Sequence, residues 1–205
     1  MLNSMKLLVL GFGGHARSVG DVALSAGYKT LLFFDRDGRE GESFAGFEVI
    51  SRPRKLDDGW CYISGAGVNS IRATQTFPAE FGFAEIVTLI APTATIGRGA
   101  TIGPGTFVAH HAHVGPMAKV GWGCLINTGA IVEHECEIGD FAHISVNAVV
   151  AGRAKVGART FCGAGSVVRD GKTVCADVTL GAGAVATSHI ERPGIYVGVP
   201  ARMRC

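Results

Sequence analysis

The chain has 205 residues, 47% hydrophobic and 18% charged, with a formal net charge of +2. That length can bury two modest cores, and the near balance of charge, with no basic cluster interleaved with aromatics, gives no footing for a nucleic-acid partner. No apolar run approaches a membrane span, and Lys6 precedes only Leu7-Leu8-Val9-Leu10 before glycines, unlike a signal peptide, so a cytoplasmic protein with no membrane partner is expected.

Residues 1–88 read as a small α/β unit. Lys6 to Leu10 predicts a strand, Gly11-Phe12-Gly13-Gly14-His15-Ala16 a turn, and the following residues a helix through about Ala26. Further strands are predicted over Leu31 to Phe34, Phe47 to Ile50 and Trp60 to Ser64, and Asn69 is placed to cap a second helix. Alternating strands and helices imply a parallel sheet of Rossmann type. A glycine turn between strand and helix lets a phosphate-bearing ligand approach backbone N–H groups. Gly11, Gly13 and Ala16 also fit the relaxed dinucleotide fingerprint, with Asp35 placed to accept from a ribose hydroxyl. The same turn can serve tight packing alone. Ala66-Gly67-Val68-Asn69 follows the fourth strand, at the edge where open parallel sheets bind ligands, and can equally be a structural turn. His15 can donate to a phosphate or cap the helix.

Residues 89–205 carry a repeat. Every sixth residue from Ile90 is apolar, through Ile96, Ile102, Val108, Val114, Val120 and onward to Leu180 and Ala186, and no insertion breaks the register. A small residue lies four further on, as at Ala112, Ala118, Cys124 and Ala130. A period of six smears around an α-helix but fits short strands separated by turns. Glycines directly after the aliphatic residue, as at Gly97, Gly115 and Gly139, are expected to provide those turns. Such a fixed short period predicts a β-solenoid of three hexapeptides per triangular coil. Residues eighteen apart then stack. One outer face carries Leu89, Phe107, Leu125, His143, Phe161 and Thr179; a second Thr95, His113, Ile131, Val149, Val167 and Val185; a third Thr101, Lys119, Glu137, Lys155 and Thr173. Two apolar outer faces predict burial between copies, and a triangular prism closes most naturally as a homotrimer. Cys124 and Cys136 at the small position and Cys162 at the core position are explained by packing, without metal or redox chemistry.

Histidines carry the candidate chemistry of the solenoid. His134, between Glu133 and Glu135, projects from a corner two residues past Val132. A neighbouring carboxylate can fix the imidazole tautomer and raise its basicity, as a general base requires. A solvated Glu-His-Glu corner with no chemistry is the competing reading. Gly152, one coil beyond His134, is a candidate to hold an oxyanion through its backbone N–H.

The chain resembles the two-domain bacterial sugar acyltransferases: nucleotide-amino-sugar N-acetyltransferases of the bacillosamine and perosamine pathways, and sialic acid O-acetyltransferases. The segments that carry the resemblance are Gly11 to Ala16, Asn127-Thr128, Glu133 to Gly139, His143-Ile144-Ser145 and Gly198-Val199-Pro200-Ala201-Arg202. The resemblance implies a left-handed parallel β-helix and transfer of acetyl from acetyl-CoA to the amine of a nucleotide-linked sugar, in surface glycan synthesis. By the same resemblance His134 matches the base and Glu135 its supporting acid. His143, Ala164 and Ala182 match positions that contact acetyl-CoA. Gly13, Gly14, His15, Asp35, Arg36 and Gly67 match positions that hold the nucleotide sugar. Asp35-Arg36 and Val68-Asn69 depart from the paired acids and paired asparagines of UDP-sugar members, which leaves the nucleotide open. Rival readings are sugar O-acetylation, a γ-class metal hydratase, whose close histidine pair is lacking here, an NAD-dependent oxidoreductase led by the glycine turn, and a non-catalytic trimeric scaffold.

Overall fold

The computed structural model describes residues 6–39, 41–75, 81 and 85–204. The chain divides into two compact units, Met1–Pro92 and Thr93–Cys205.

In the first unit, β1 (Lys6–Leu10) is central and pairs in parallel with β2 (Thr30–Phe34) on one side and β5 (Trp60–Ser64) on the other. Leu7 to Leu10 are all buried, as an unbroken apolar run must be when both faces of a parallel strand are covered. Helix α1 (Gly14–Ser25) turns Ala16, Val19, Gly20, Val22 and Ala23 inward, and a Cβ on Gly20 would stand 2.8 Å from the Phe33 ring, so only glycine lets the helix lie this close. With β3 (Ser43–Phe44), β4 (Phe47–Ile50) and β6 (Glu85–Ile86), the sheet runs β3-β4-β2-β1-β5-β6. Two strands escaped the sequence reading, β6 and β3; β3 pairs antiparallel with β4 around Ala45 and Gly46, whose φ angles are positive (50° and 83°). That two-residue hairpin turn suits the strand twist, but a two-residue strand leaves no period to detect. Helix α2 spans Asn69–Thr74, and Val68, not Asn69, takes the N-cap position. Asn69 is drawn off as an acceptor: its Oδ1 receives Arg72 Nη2 at 3.1 Å.

The second unit is a parallel β-solenoid. Two-residue strands stack in three registers, Phe107↔Leu125↔His143↔Phe161↔Thr179, Thr95↔His113↔Ile131↔Val149↔Val167↔Val185 and Thr101↔Lys119↔Glu137↔Lys155↔Thr173. Val114, Ile126, Ile144 and Val150 fill the interior with Ala118, Cys124, Cys136 and Ala148, all fully buried. Where the small residue is polar it satisfies itself on the backbone: Thr106 Oγ1 donates to Gly121 O (2.8 Å) and accepts from Cys124 N–H (3.0 Å). A tail strand (Gly194–Val197) extends the first register beside Val178–Leu180, and Arg202–Met203 folds back against it.

The glycines after the core aliphatics do not make the turns. A Cβ on Gly115 would stand 2.6 Å from the backbone nitrogen of His134, and one on Gly139 2.5 Å from that of Ala158. Their bareness permits close stacking of the next coil. The turn itself lies two residues later, where the backbone is left-handed, at Glu135 (φ 58°), Phe141 (φ 58°) and Asn147 (φ 54°), or at glycines such as Gly129 (φ 64°). A non-glycine residue there costs about 1–2 kcal/mol, which the surrounding ladder of parallel hydrogen bonds must hold in place.

The three outer faces differ as the pattern implies, with one correction. Lys119, Glu137 and Lys155 are exposed, and Lys155 Nζ lies 3.1 Å from Glu137 Oε1. Ile131, Val149, Val167 and Val185 are half-buried. The face expected to await another copy is instead already closed in the single chain along much of its length: Leu89, Phe107 and Leu125 are 2% exposed or less, and His143 is 7% exposed. A repeat locates a face but carries no information on what covers it.

Candidate active site

A cavity of about 890 Å³ opens in the first unit, and Gly13, Gly14, His15, Asp35, Arg36 and Gly67 all line it. The glycine turn leaves β1 with Gly11 at φ 106° and its N–H on Phe34 O (2.7 Å). Nothing lies within 4 Å of a Cβ at Gly13 or Gly14, so the backbone that starts α1 is open to a ligand. No side chain caps this helix start, which leaves N–H groups there for an anion. Asp35 Oδ2 accepts from Phe12 N–H at 2.7 Å and Oδ1 from Asp37 N–H at 3.0 Å. Its carboxylate therefore ties the glycine turn to the end of β2 and still has lone pairs facing the cavity's ring of residues.

His15 is half-buried with its Nε2 shielded from solvent, and that desolvation, with the nearby Arg72 guanidinium second, pulls its pKa from 6.5 down to about 4. It is neutral at pH 7 and can donate one N–H without carrying charge. The folded chain resists a proton that the unfolded chain takes up below pH 6.5. The stability contributed by neutral His15 is therefore fully present above pH 6.5 and is lost as pH falls through that value toward about 4. The loss is at most about 3 kcal/mol. In urea unfolding, the midpoint of the wild type should drop more between pH 7 and pH 4.5 than that of His15→Gln; parallel curves would contradict this.

Sequence reasoning missed Arg72. It is 2% exposed and donates to Ala66 O (3.2 Å), Gly67 O (3.1 Å) and Asn69 Oδ1, holding the cavity's second loop. Its one sequence signal was the basic residue three positions after Asn69, the spacing of helix neighbours. Val68 and Ile71 also line the cavity while remaining exposed, at 57% and 48%.

The second constellation occupies a corner of the solenoid. His134 sits at the turn after Val132; its N–H is accepted by Glu133 Oε2 (3.2 Å), and its Nδ1 lies 3.1 Å from Glu135 Oε2. A carboxylate accepts only, so Nδ1 carries the proton and Nε2 presents its lone pair. Gly152 stacks one coil on: Arg153 N–H bonds to His134 O at 2.9 Å, and a Cβ on Gly152 would stand 2.5 Å from His134 Nε2. Asp170 is the next member of the stack, gripped by Arg153 Nη2 at 3.0 and 3.1 Å, and was not singled out from sequence. Among the described residues, no group of three His, Cys, Asp or Glu could hold a metal ion.

The structure thus brings His134, Glu135 and Gly152 together. Ala164 and Ala182 stack on each other at a different corner, with Gly183 N–H on Ala164 O (2.9 Å), and both are exposed. The Ile131–Val149–Val167–Val185 face runs between the two corners. His143 lies inside a face, with Nε2 3.2 Å from Asn127 Nδ2 and its ring edge-on to Phe161 at 5.0 Å.

Residues 6–75 match the family model of the PglD N-terminal domain. The acetyltransferase domain of PglB from Neisseria gonorrhoeae, solved with acetyl coenzyme A, is similar at 33% identity over 98% of this chain and 100% of that one, with a TM-score of 0.90. A histidine variant of perosamine N-acetyltransferase from Caulobacter crescentus, solved with CoA and GDP-perosamine, matches at 27% identity over 98% and 97% of the two chains, with a TM-score of 0.88. WeeI from Acinetobacter baumannii, at 18% identity and a TM-score of 0.58, shares the fold. No helix among the described residues is long and apolar enough to cross a membrane. The match to the PglB domain covers 98% of this chain and so includes residues of both units. The chain belongs to the two-domain hexapeptide-repeat sugar acyltransferases, a small α/β unit followed by a left-handed parallel β-helix.

Proposed function

We propose that this chain transfers acetyl from acetyl-CoA to the amino group of a nucleotide-linked amino sugar, with His134 as general base. The observation that carries the reading is the corner itself: Nδ1 held by Glu135 at 3.1 Å and Nε2 poised over a residue that has no side chain. The amine nitrogen attacks the thioester carbon while Nε2 takes one of its protons. The carbonyl oxygen gathers charge, and the Gly152 N–H is suited to receive it. The C–S bond then breaks, its electron pair stays on sulfur, and the imidazolium returns the proton to the thiolate.

The cavity of the first unit is proposed to hold the nucleotide sugar, with its phosphates on the Gly13–Gly14 backbone and neutral His15, and with Asp35, Arg36 and Gly67 around the remainder. Ala164 and Ala182 would meet acetyl-CoA through their backbone. The burial of His143 suits a role in shaping that site beside Asn127. GDP-perosamine bound to the Caulobacter enzyme supports the class of acceptor. Titration calorimetry with UDP, dTDP and GDP tests the cavity's part: one of them should bind at one site per chain, and a protein that binds none lacks the assigned site.

His134 and the Ala164–Ala182 pair occupy two corners of one chain, and the half-buried valine face lies between them. A homotrimer would pack that face against a neighbour and bring unlike corners together, and a cytoplasmic location accords with acetyl-CoA as donor. Light scattering at micromolar concentration should return three times the chain mass. A monodisperse monomer would contradict the assembly.

A further inference from the structure

Resting on the functional reading above, we propose that Asp170 selects an amine over a hydroxyl as the acyl acceptor. The bare Cα of Gly152 lets two side chains close in over it. A Cβ there would stand 2.5 Å from His134 Nε2 and 3.0 Å from Asp170 Oδ2, so both atoms border the same small volume. Each is an acceptor. Nε2 offers a lone pair because the Nδ1 proton faces Glu135, and a carboxylate has no proton to give.

An acceptor group approaching His134 Nε2 beside Asp170 meets two lone-pair donors and no hydrogen-bond donor from either side chain. A hydroxyl has one proton. It can satisfy His134 or Asp170, and its own lone pairs then face the one left over. A primary amine has two N–H groups and satisfies both at once, and its ammonium form is also drawn to the carboxylate. The carboxylate is held in place from its own stack, since Arg153 Nη2 reaches both Asp170 oxygens and the Arg153 N–H fastens its coil to His134 O at 2.9 Å.

The step balances. The ammonium of the bound sugar gives one proton to water. The neutral amine then directs one N–H to Asp170 and the other to Nε2. As the N–C bond forms, that second proton passes to Nε2. The C–S bond breaks with its pair on sulfur, and the imidazolium returns the proton to the thiolate. The products are the amide, the free thiol of CoA and the one proton left in water. Asp170 stays ionised throughout.

The test compares kcat/KM for a nucleotide 4-amino sugar and for the matching 4-hydroxy sugar, in the wild type, Asp170→Asn and Asp170→Glu. Asp170→Asn should lose about tenfold to a hundredfold on the amine, the equivalent of one charge-assisted hydrogen bond. The slow rate on the hydroxyl sugar should hold or rise, and the affinity for acetyl-CoA should stay unchanged. Asp170→Glu, which keeps the charge, should recover part of the preference. A merely structural role would lower both acceptors alike, together with the melting temperature. If Asp170→Asn keeps the wild-type ratio of amine to hydroxyl, or lowers both rates equally, the inference is overturned while the functional reading stands. If the wild type acetylates no amino sugar in a panel of UDP, dTDP and GDP forms, the functional reading fails and this inference fails with it. Should Asp170→Asn not fold, Asp170→Ser carries the same comparison.

Discussion

Replacing His134 with alanine is expected to lower kcat by about 10²–10⁴, the range for losing a general base. The imidazole is the one group at the corner with an available lone pair and a fixed tautomer. Folding should survive, because the side chain projects from a turn, is 43% exposed and fills no part of the solenoid core. Glu135→Ala should do less harm: Nε2 keeps its reach and loses only the partner that orients Nδ1. The ordering of the two, read from kcat on one verified acceptor, is the content of the claim. Near-normal turnover by His134→Ala would remove it from the mechanism. His143→Ala belongs to another class. Because His143 is buried and paired with Asn127, its loss should weaken acetyl-CoA binding and lower the melting temperature together.

The second large effect concerns Asp35. Asp35→Ala should raise the KM for the nucleotide sugar roughly tenfold to a hundredfold, the equivalent of a charge-assisted hydrogen bond worth about 1.5–3 kcal/mol. The structure adds a route for this loss. The carboxylate receives the N–H groups of Phe12 and Asp37, so its removal frees the glycine turn as well as the cavity wall. The affinity for acetyl-CoA should not change. Damage to acetyl-CoA binding with the sugar KM spared would reverse the proposed division of labour between the two units.

The solenoid was legible because its period is geometry written directly into the chain. Each inward aliphatic from Val108 to Leu180 must recur when a two-residue strand and a four-residue turn repeat without insertion, and these residues are buried as that reading requires. The eighteen-residue stacking followed from three such units and matches the observed register, Leu125 on His143 and Glu137 on Lys155. Gly115 shows where pattern reading stopped. Its recurrence was visible, but only the 2.6 Å approach to the His134 nitrogen shows that it admits the next coil and does not turn the chain.

The candidate site was legible in part, for a related reason. His134 and Glu135 are neighbours in sequence, and Gly152 is one coil away, so local pattern and period reached all three. Asp170 was equally accessible to the period, two coils beyond His134, and was passed over because an exposed aspartate at a turn is ordinary. Arg72 has no periodic signature. Its importance arises from three oxygens, two on the loop between β5 and α2 and one on the first residue of α2, that converge on one buried guanidinium. The closure of Phe107 and Leu125 within one chain was likewise beyond reach, since a face pattern does not record its neighbour.

The central claim is acetyl transfer to a nucleotide-linked amino sugar. Its most direct measurement is thiol release from acetyl-CoA by the purified 205-residue chain across UDP, dTDP and GDP amino sugars, with the acetylated product weighed by mass spectrometry. The expected result is release that requires both substrates, with one amino sugar strongly preferred and one acetyl gained on its nitrogen. Release that is independent of any sugar, or none with every amino sugar tried, would contradict the claim.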